Sequence, residues 1–284
     1  MAHWTIDAPT SLDFGEVSGL RVRLIGGSVA VLATDGTPSL EVASISGDPL
    51  EVTYEDGVLT VSHENLTWDG LLKWLRPQRH AATVTVTVPR KCPTQVGVVS
   101  ATAVLSGLSA RASVKSVSGG ITLDGVTGDV DANTVSGALE AQGVNGRLDF
   151  RSVSGDLTLA EGWLERLDAH AVSGDVTADV DLDPLGGLQV TTVSGEVTLR
   201  LPAESDTKVR LHSISGDVRS EFEGLRRSSA PASHSVSGNL GAGSGLVSVT
   251  TMSGRVVLLR RAERDAATDR AEADNEHQME GESS

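Results

Sequence analysis

The sequence predicts an all-β protein whose main part is a parallel β-solenoid, β-helix-like, with about 18–22 residues per coil. Three observations predict this fold class. A tripeptide of an apolar residue, serine and glycine recurs eight times between residues 117 and 254. The copies have a regular spacing, and apolar and polar residues alternate around each of them. Aromatic residues make up only 3% of the chain, so the predicted core is small and aliphatic.

The spacing of the repeat indicates one strand and one turn per unit. The apolar position recurs every nine residues from Val99 to Val153, and strong and weak copies alternate, so the full repeat is two such steps. Nine residues suit one strand plus one turn. After Val153 the steps between strong copies become irregular, at 19, 21, 21, 22 and 16 residues, which we interpret as insertions at the corners of the coil. These later copies begin at Val172, Val193, Ile214, Val236 and Met252.

The residues within each copy predict a strand with one buried face. In residues 153–159 the apolar residues and glycine alternate with polar ones, which places Val153 inside and Ser154 outside. A glycine at a fixed place in each strand predicts a bend or a close backbone approach. The predicted structural glycines of the repeat turns are Gly119, Gly137, Gly155, Gly174, Gly195, Gly216, Gly238 and Gly254.

Residues 1–93 predict an N-terminal β-rich cap region that precedes the solenoid repeat domain at 94–261. Gly26-Gly27 lies between two apolar runs and predicts a two-residue hairpin, and residues 55–57 predict a second one. A solenoid needs an atypical end unit to cover its first coil. Two copies of the tripeptide in this region, beginning at Val17 and Ile45, also permit a degenerate start of the same stack.

Residues 262–284 predict a disordered acidic tail, with eight acids and two arginines and almost no large apolar residue. The whole chain has 38 acidic and 23 basic residues, for a formal charge of −15. This balance argues against a nucleic-acid binder.

The chain contains a single cysteine, which excludes an intramolecular disulfide. The first residues show no secretory signal pattern, so we expect a cytoplasmic protein. Peripheral association with the membrane is the alternative localisation.

No catalytic residue, cofactor or metal site is predicted. The repeated serines occupy one structural position, and the histidines lack metal-ligand spacing. The acids that follow turn glycines could stack into a calcium-binding ladder, but the calcium-binding nonapeptide pattern is missing and aspartate after glycine is ordinary turn chemistry. These acids are Asp129, Asp156, Asp175, Glu196 and Asp217.

A carbohydrate-acting β-helix enzyme is a further alternative, because such enzymes use paired carboxylates in a groove. Glu140, Asp149 and Glu161 could contribute such a pair. Nothing distinguishes them from the other acids, and aromatic residues for stacking on sugars are scarce. We therefore expect a protein that is not an enzyme.

One segment, Trp68–His80, departs from the repeat because it is both aromatic and basic in an acidic protein. Its apolar residues can share one side of a short helix that Pro77 ends. Tryptophan beside lysine and arginine suits a membrane interface or a partner's pocket, and the alternative is a plug over the first coil. The candidate interaction residues are Trp68, Leu71, Leu72, Lys73, Trp74, Arg76 and Arg79.

The Val-Ser-Gly-Asp-Val ladder, the segment that opens at Arg21 and the segment that opens at Leu71 resemble the DUF4097 family of β-strand repeat proteins in its actinobacterial version. The resemblance covers nearly the whole chain except the tail. It implies a β-solenoid, the "putative adhesin" description of that family, and no catalytic residues. Association of some members with envelope-stress systems implies the inner membrane surface as a place of action.

Three functional hypotheses follow. The first is a non-enzymatic scaffold that mediates macromolecular interactions with unknown protein partners. The second is a peripheral membrane or envelope-stress module that docks through Trp68–His80, and the third is the carbohydrate-acting enzyme. Self-association through exposed coil ends is a further expectation.

Overall fold

The computed structural model describes residues 1–63, 80–230 and 233–261, and within these ranges it contains 24 strands and no helix. The prediction of an all-β protein is confirmed. The strands are β1 (Ala2–Ile6), β2 (Thr10–Asp13), β3 (Gly19–Leu24), β4 (Gly27–Thr34), β5 (Ser39–Ser46), β6 (Leu50–Glu55), β7 (Val58–His63), β8 (Ala81–Pro89), β9 (Thr94–Val98), β10 (Thr102–Ser106), β11 (Ala112–Ser116), β12 (Ile121–Asp124), β13 (Thr127–Thr134), β14 (Leu139–Gln142), β15 (Asn145–Ser152), β16 (Leu157–Ala171), β17 (Val176–Thr192), β18 (Val197–Pro202), β19 (Thr207–Ser213), β20 (Val218–Ser220), β21 (Arg226–Ala230), β22 (Ser233–Leu240), β23 (Gly245–Thr251) and β24 (Val256–Arg261).

The strands form two long ladders, which we call sheet 1 and sheet 2. Sheet 1 has the order β1-β6-β7-β3-β9-β11-β13-β15-β16-β17-β23-β19-β22-β21. Sheet 2 has the order β2-β5-β8-β4-β10-β12-β14-β16-β17-β18-β24-β20. The long strands β16 and β17 run through both sheets. All pairs from β7 to β19 in sheet 1, and from β8 to β20 in sheet 2, are parallel.

One strand of sheet 1, the following corner and one strand of sheet 2 make up a unit that we call a rung. Rungs stack with their inward side chains in register, and these side chains form one hydrophobic core. In sheet 2, Leu105 is aligned with Leu123 of the next rung. In sheet 1, Phe150 lies between two aligned alanines, Ala132 and Ala169. An aromatic ring therefore needs small neighbours above and below it, which explains why the core is mostly aliphatic.

The order of the rungs differs from chain order at both ends of the stack. The β3–β4 rung lies between the β7–β8 and β9–β10 rungs. Likewise, the β23–β24 rung lies between the β17–β18 and β19–β20 rungs. The irregular steps of the repeat on either side of Val236 thus come from the antiparallel strands β21 and β22, and the interpretation of them as corner insertions is wrong.

Antiparallel strands lie at the two ends of the stack. At the N-terminal end, β1 and β6 continue sheet 1, and β2 and β5 continue sheet 2. Phe14 packs here between Trp4 and Tyr54, with ring centroids 5.8 and 5.5 Å away. At the other end, the outermost strand of sheet 1 is β21, whose five residues are all exposed.

The two hairpin predictions have opposite outcomes. The hairpin at residues 55–57 is confirmed, since β6 and β7 pair antiparallel and Asp56 and Gly57 have φ of 50° and 77°. The hairpin at Gly26-Gly27 is wrong, because β3 and β4 belong to different sheets. A Cβ atom at Gly27 would lie 2.1 Å from the carbonyl oxygen of Ala82, so this glycine allows two rungs to approach each other at a corner.

Candidate interaction surface at the serine corner

Seven of the eight apolar-Ser-Gly tripeptides between residues 117 and 254 lie where the chain leaves sheet 1 and enters sheet 2, an edge of the stack that we call the serine corner. At each rung the serine points outward, as predicted, and binds the rung before it. The backbone N–H of Ser154 donates to the carbonyl of Val135 at 2.8 Å, and its Oγ donates to the same oxygen at 3.3 Å. The same hydroxyl bond recurs at 3.1–3.4 Å in Ser118, Ser136, Ser173, Ser194, Ser215 and Ser253.

The glycine of each tripeptide allows this close stacking. A Cβ atom on Gly155 would lie 2.1 Å from the carbonyl oxygen of Gly137, far inside the contact distance of real atoms. Six further glycines have the same contact with the preceding rung at 1.7–2.1 Å: Gly119, Gly137, Gly174, Gly195, Gly216 and Gly254. The predicted close backbone approach is confirmed for these seven. It is wrong for Gly238, which lies inside β22 opposite Val209.

The apolar residue of the tripeptide is exposed, and the prediction of a buried Val153 is wrong. Ser152 is buried, Val153 and Ser154 are both exposed, and Gly155 is buried again. The chain turns at the tripeptide, so the two-residue alternation of a strand does not continue through it. Six of these residues expose 43–55% of their surface: Val135, Val153, Val172, Val193, Ile214 and Met252.

Together with half-buried Val99 and Val117, these residues form a continuous row that we call the aliphatic ladder. Its order along the stack is Val99, Val117, Val135, Val153, Val172, Val193, Met252 and Ile214. Eight residues at a strand spacing of ~4.8 Å span about 34 Å. Single exposed apolar residues are common on protein surfaces, whereas a contiguous row is typical of an interaction surface.

A groove of about 530 Å³ runs beside the N-terminal half of this ladder, on the outer face of sheet 1. Val99, Val117, Val135 and Val153 line one side of it. Its charged lining residues are Arg21, Arg23, Lys115 and Arg151, and none of the described residues that line it is acidic. We call it the basic groove. Its positive charge stands out in a chain whose formal charge is −15.

The four cations of the basic groove differ in their ion pairing. Arg151 donates to the carboxylate of Asp149 at 2.9 Å. Arg21, Arg23 and Lys115 are exposed and have no ion-pair partner among the residues that the structure describes. An unpaired surface cation keeps its full attraction for an incoming anion, because no neighbouring carboxylate offsets it.

The floor of the basic groove is a glycine. The register of sheet 1 aligns Arg23, Gly97 and Lys115 on three neighbouring strands. Gly97 therefore leaves an open space between two long cationic side chains. A Cβ atom there would have only ordinary contacts, at 3.9 Å from the Cγ of Arg23 and from the carbonyl oxygen of Val22.

The acids that follow the turn glycines are hydrogen-bonded into the backbone of the corner. Asp156 accepts the N–H of Asp175 at 2.8 Å, and Asp175 accepts the N–H of Glu196 at 2.7 Å. Hydrogen bonding from Arg219 lowers the pKa of Asp217. Asp129 lies in β13, in a different row. In the described ranges no three His, Cys, Asp or Glu side chains come together as metal ligands.

The three candidate carboxylates for sugar chemistry lie apart from one another. Glu140 lies in β14 of sheet 2 and Asp149 in β15 of sheet 1. Glu161 lies within β16, near its passage from sheet 2 to sheet 1, and accepts a hydrogen bond from Gln142 at 3.1 Å. Glu140 and Asp149 thus belong to opposite sheets, and the structure does not bring them together as a catalytic pair.

His80, the described end of the aromatic and basic segment, lies at the serine corner beside His63. His63 ends β7 in sheet 1, and His80 precedes β8 in sheet 2, with the two rings 6.3 Å apart. Burial, and next the charge of His80, lower the pKa of His63 to about 4, against an opposing effect of Asp48. The candidate interaction residues lie outside the described residues; they are Trp68, Leu71, Leu72, Lys73, Trp74, Arg76 and Arg79.

Cys92 is the only cysteine of the chain, and it is buried. Burial raises the pKa of its thiol to about 11, with a smaller opposing effect of a hydrogen bond to Thr94. The thiolate is the nucleophilic form of cysteine. At neutral pH the side chain is therefore a protonated, unreactive part of the core.

The stacked rungs define a β-repeat protein with a continuous row of exposed apolar residues along one corner. The chain belongs to the DUF4097 family, since the model of that family, described as Toastrack DUF4097, matches residues 55–258. A comparison with curated proteins returned no match. None of the described residues forms a helix that is long and apolar enough to span a membrane.

Several solved structures resemble this one at low sequence identity. One is a putative lipid binding protein from Parabacteroides distasonis, 10% identical, with a TM-score of 0.39 over 89% of this chain and 97% of that chain. A second is a putative adhesin from the same organism, 15% identical, with a TM-score of 0.34 over 90% and 98%. A third is a putative cell adhesion protein from Clostridium sporogenes, 11% identical, with a TM-score of 0.25 over 89% and 100%.

Proposed function

We propose that this protein is a non-enzymatic β-solenoid scaffold, closed by an N-terminal β-rich cap, that mediates macromolecular interactions through the serine corner. The continuous exposure of the aliphatic ladder carries this proposal. The ladder contributes little to the core, so burial of its apolar surface stabilises the protein mainly when another molecule covers it. The parallel rungs hold its residues on a rigid support, which reduces the entropy lost on binding.

The energy available from the ladder indicates that it acts together with a polar contact. Full burial of a valine-sized side chain contributes about 1.5–3 kcal/mol, so covering one half-exposed residue contributes about 1 kcal/mol. Eight such residues then contribute on the order of 8 kcal/mol, comparable with an association cost of about 4–15 kcal/mol. A stable complex therefore needs additional contacts, and the basic groove provides them along the N-terminal half of the ladder.

Site-specific photo-crosslinking in the native cell tests the proposal. A photoreactive amino acid replaces Val135 or Val172 in the ladder, and in the control it replaces Leu185, which is 86% exposed but lies in β17, away from the serine corner. We expect discrete adducts from both ladder positions and none from the control. Adducts of equal yield at all three positions, or none at the ladder, would contradict the proposal.

A second proposal is a peripheral membrane or envelope-associated module that docks through Trp68–His80. The observation that favours it is the position of His80, the described end of this segment, beside His63 at the serine corner. Fractionation of native cells with a high-salt wash of the membranes tests it. Recovery in the membrane pellet with release by salt supports docking through basic residues, because salt screens exposed charges. Complete recovery in the cytosol, the compartment that we expect for the scaffold, would exclude it.

We further propose that the scaffold does not bind nucleic acid and that its ends can self-associate. The outermost strand of sheet 1 at the C-terminal end, β21, pairs only with β22 among the described strands, and such an open edge can pair with another chain. Sedimentation velocity over a range of concentrations tests the second point. A variant with proline at Ser228 would remain monomeric at concentrations where the original chain self-associates. Unchanged self-association of this variant would exclude pairing through β21.

A further inference from the structure

We propose that the basic groove binds one anionic phospholipid molecule, whose head group contacts Arg21, Arg23 and Lys115 and whose acyl chain lies along Val99–Val153 of the aliphatic ladder. This inference rests on the proposed function, because it assigns a ligand class to the same surface. It differs from docking of the whole protein on a membrane, since a single lipid molecule is sufficient to fill the groove.

The head-group position follows from the cations. Arg23 and Lys115 flank Gly97 on neighbouring strands, so their Cα atoms are two strand spacings, ~9.6 Å, apart with open space between them. Arg21 lies two residues before Arg23 on the same outer face of β3. Guanidinium and ammonium groups on both sides of an open space suit a phosphate, which accepts hydrogen bonds from several donors at once.

The aliphatic wall fits an acyl chain better than a peptide. The valines repeat every ~4.8 Å along the stack, whereas side chains on one face of an extended peptide repeat every ~6.8 Å. A peptide would therefore lose register with the ladder after one or two residues, and a methylene chain has no such register. The backbone groups of the corner are also already used, as the Ser154 N–H bond to Val135 shows, so a peptide would find few partners for its own backbone.

The charges along the corner fix the direction of the lipid. From the rung of Val153 onward, the row that follows the turn glycines is acidic, with Asp156, Asp175 and Glu196 in successive rungs. The equivalent positions of the two rungs before Asp156 are Gly120 and Ala138, which carry no charge. The N-terminal half of the ladder is thus the half that accepts an anion, and the head group lies at that end.

The test is binding of monomeric lysophosphatidylglycerol, below the concentration at which it forms micelles, measured by isothermal titration calorimetry on the full chain. Gly97→Leu fills the floor of the groove, where the space around the Cβ position allows a side chain, and Lys115→Gln removes one cation. The matched controls lie on the same face of sheet 1 outside the groove. They are Gly187→Leu and Arg210→Gln. A Cβ atom at Gly187 would have no atom within 4 Å, and Arg210 has no ion-pair partner among the residues that the structure describes.

We expect each groove variant to weaken binding at least about tenfold and each control to leave it within about twofold. We also expect weaker binding of lysophosphatidylcholine, which lacks net charge, and no measurable binding of inorganic phosphate, which lacks the chain. Equal affinity for both lysolipids, unchanged affinity of Gly97→Leu, or tight binding of phosphate alone would overturn the inference. So would an acidic peptide that competes fully with the lipid.

The two proposals fail separately. If lysophosphatidylglycerol does not bind but the photo-crosslinks at Val135 and Val172 persist, the lipid inference is wrong and the scaffold stands. If the lipid binds with the expected variant effects but no crosslinks form, the macromolecular role of the ladder is wrong.

Discussion

The glycine column at the serine corner gives the sharpest stability prediction, through the neighbouring residues Gly119 and Gly120. A Cβ atom on Gly119 would lie 1.7 Å from the carbonyl oxygen of Ala101, which is rigid backbone of the adjacent rung. A Cβ atom on Gly120 meets nothing closer than the carbonyl oxygen of Ala138, at 4.0 Å. The same substitution, glycine to alanine, thus tests close stacking at one position and has its control at the next.

The expected cost of Gly119→Ala combines two effects. Overpacking of a well-packed site costs about 1–3 kcal/mol. Separating the rungs also strains the bonds from Ser118 to Val99, a backbone bond of 2.8 Å and a hydroxyl bond of 3.1 Å, each of which contributes about 1 kcal/mol. We therefore expect a loss of about 3–5 kcal/mol. Gly120→Ala changes stability by less than about 1 kcal/mol, with a small gain from reduced freedom of the unfolded chain.

Urea unfolding followed by far-ultraviolet circular dichroism measures both variants. The midpoint of Gly119→Ala should fall markedly while that of Gly120→Ala stays close to the original. A Gly119→Ala chain that does not fold at all, beside a stable Gly120→Ala chain, agrees with the reasoning. Equal stabilities of the two variants would refute it, because the rungs would then have room for a side chain at Gly119.

Three further predictions concern the core and its titratable groups. Because the pKa of His63 is about 4 when folded and about 6.5 when unfolded, the folded state favours the neutral ring, and up to about 3 kcal/mol of stability is lost as pH falls from about 6.5 to 4. His63→Gln should flatten this part of the pH–stability profile, and an unchanged slope would be inconsistent with burial of the ring. Cys92 should react with a thiol reagent only after urea is added, and rapid labelling of the native protein would contradict its protonated, buried state. Phe150→Ala should cost about 3–5 kcal/mol in chemical unfolding and Trp163→Ala, which is half exposed, much less, so similar losses would disagree with the assigned core.

The sequence period predicts the local structure of a rung well. A nine-residue step fits one strand plus one turn, and β11, β13 and β15 follow it, aligned in register at one full repeat per rung. The need for glycine in the tripeptide is also predictable, because only a residue without Cβ tolerates so close a neighbour. Gly238 shows the limit of this reasoning. Its tripeptide matches the pattern, but it lies in an antiparallel strand where no such contact exists.

The candidate surface could not be predicted from the same period. Alternation through the tripeptide places Val153 inside, but the turn reverses the direction of its side chain and exposes it. Arg23 and Lys115 are distant in the chain. They line the same groove because their strands, β3 and β11, both pair with β9. Since all rungs present similar faces to one another, the sequence does not reveal which rung stacks on which. The position of the β3–β4 rung next to β9–β10 is therefore information that only the structure contains.

Paired cysteines directly test both the order in which the rungs stack and the exposure of the aliphatic ladder to solvent. The backbone N–H of Ser253 donates to the carbonyl of Val193, so Val193 and Met252 lie in adjacent rungs, ~4.8 Å apart, within disulfide range. Val193 and Ile214 are consecutive in the repeat but two rungs, ~9.6 Å, apart, beyond that range. On mild oxidation we predict rapid disulfide formation in the Val193→Cys, Met252→Cys double variant and none in Val193→Cys, Ile214→Cys. A disulfide in the second variant and not in the first would contradict the rung order, and slow reaction of both would contradict the exposure of the ladder.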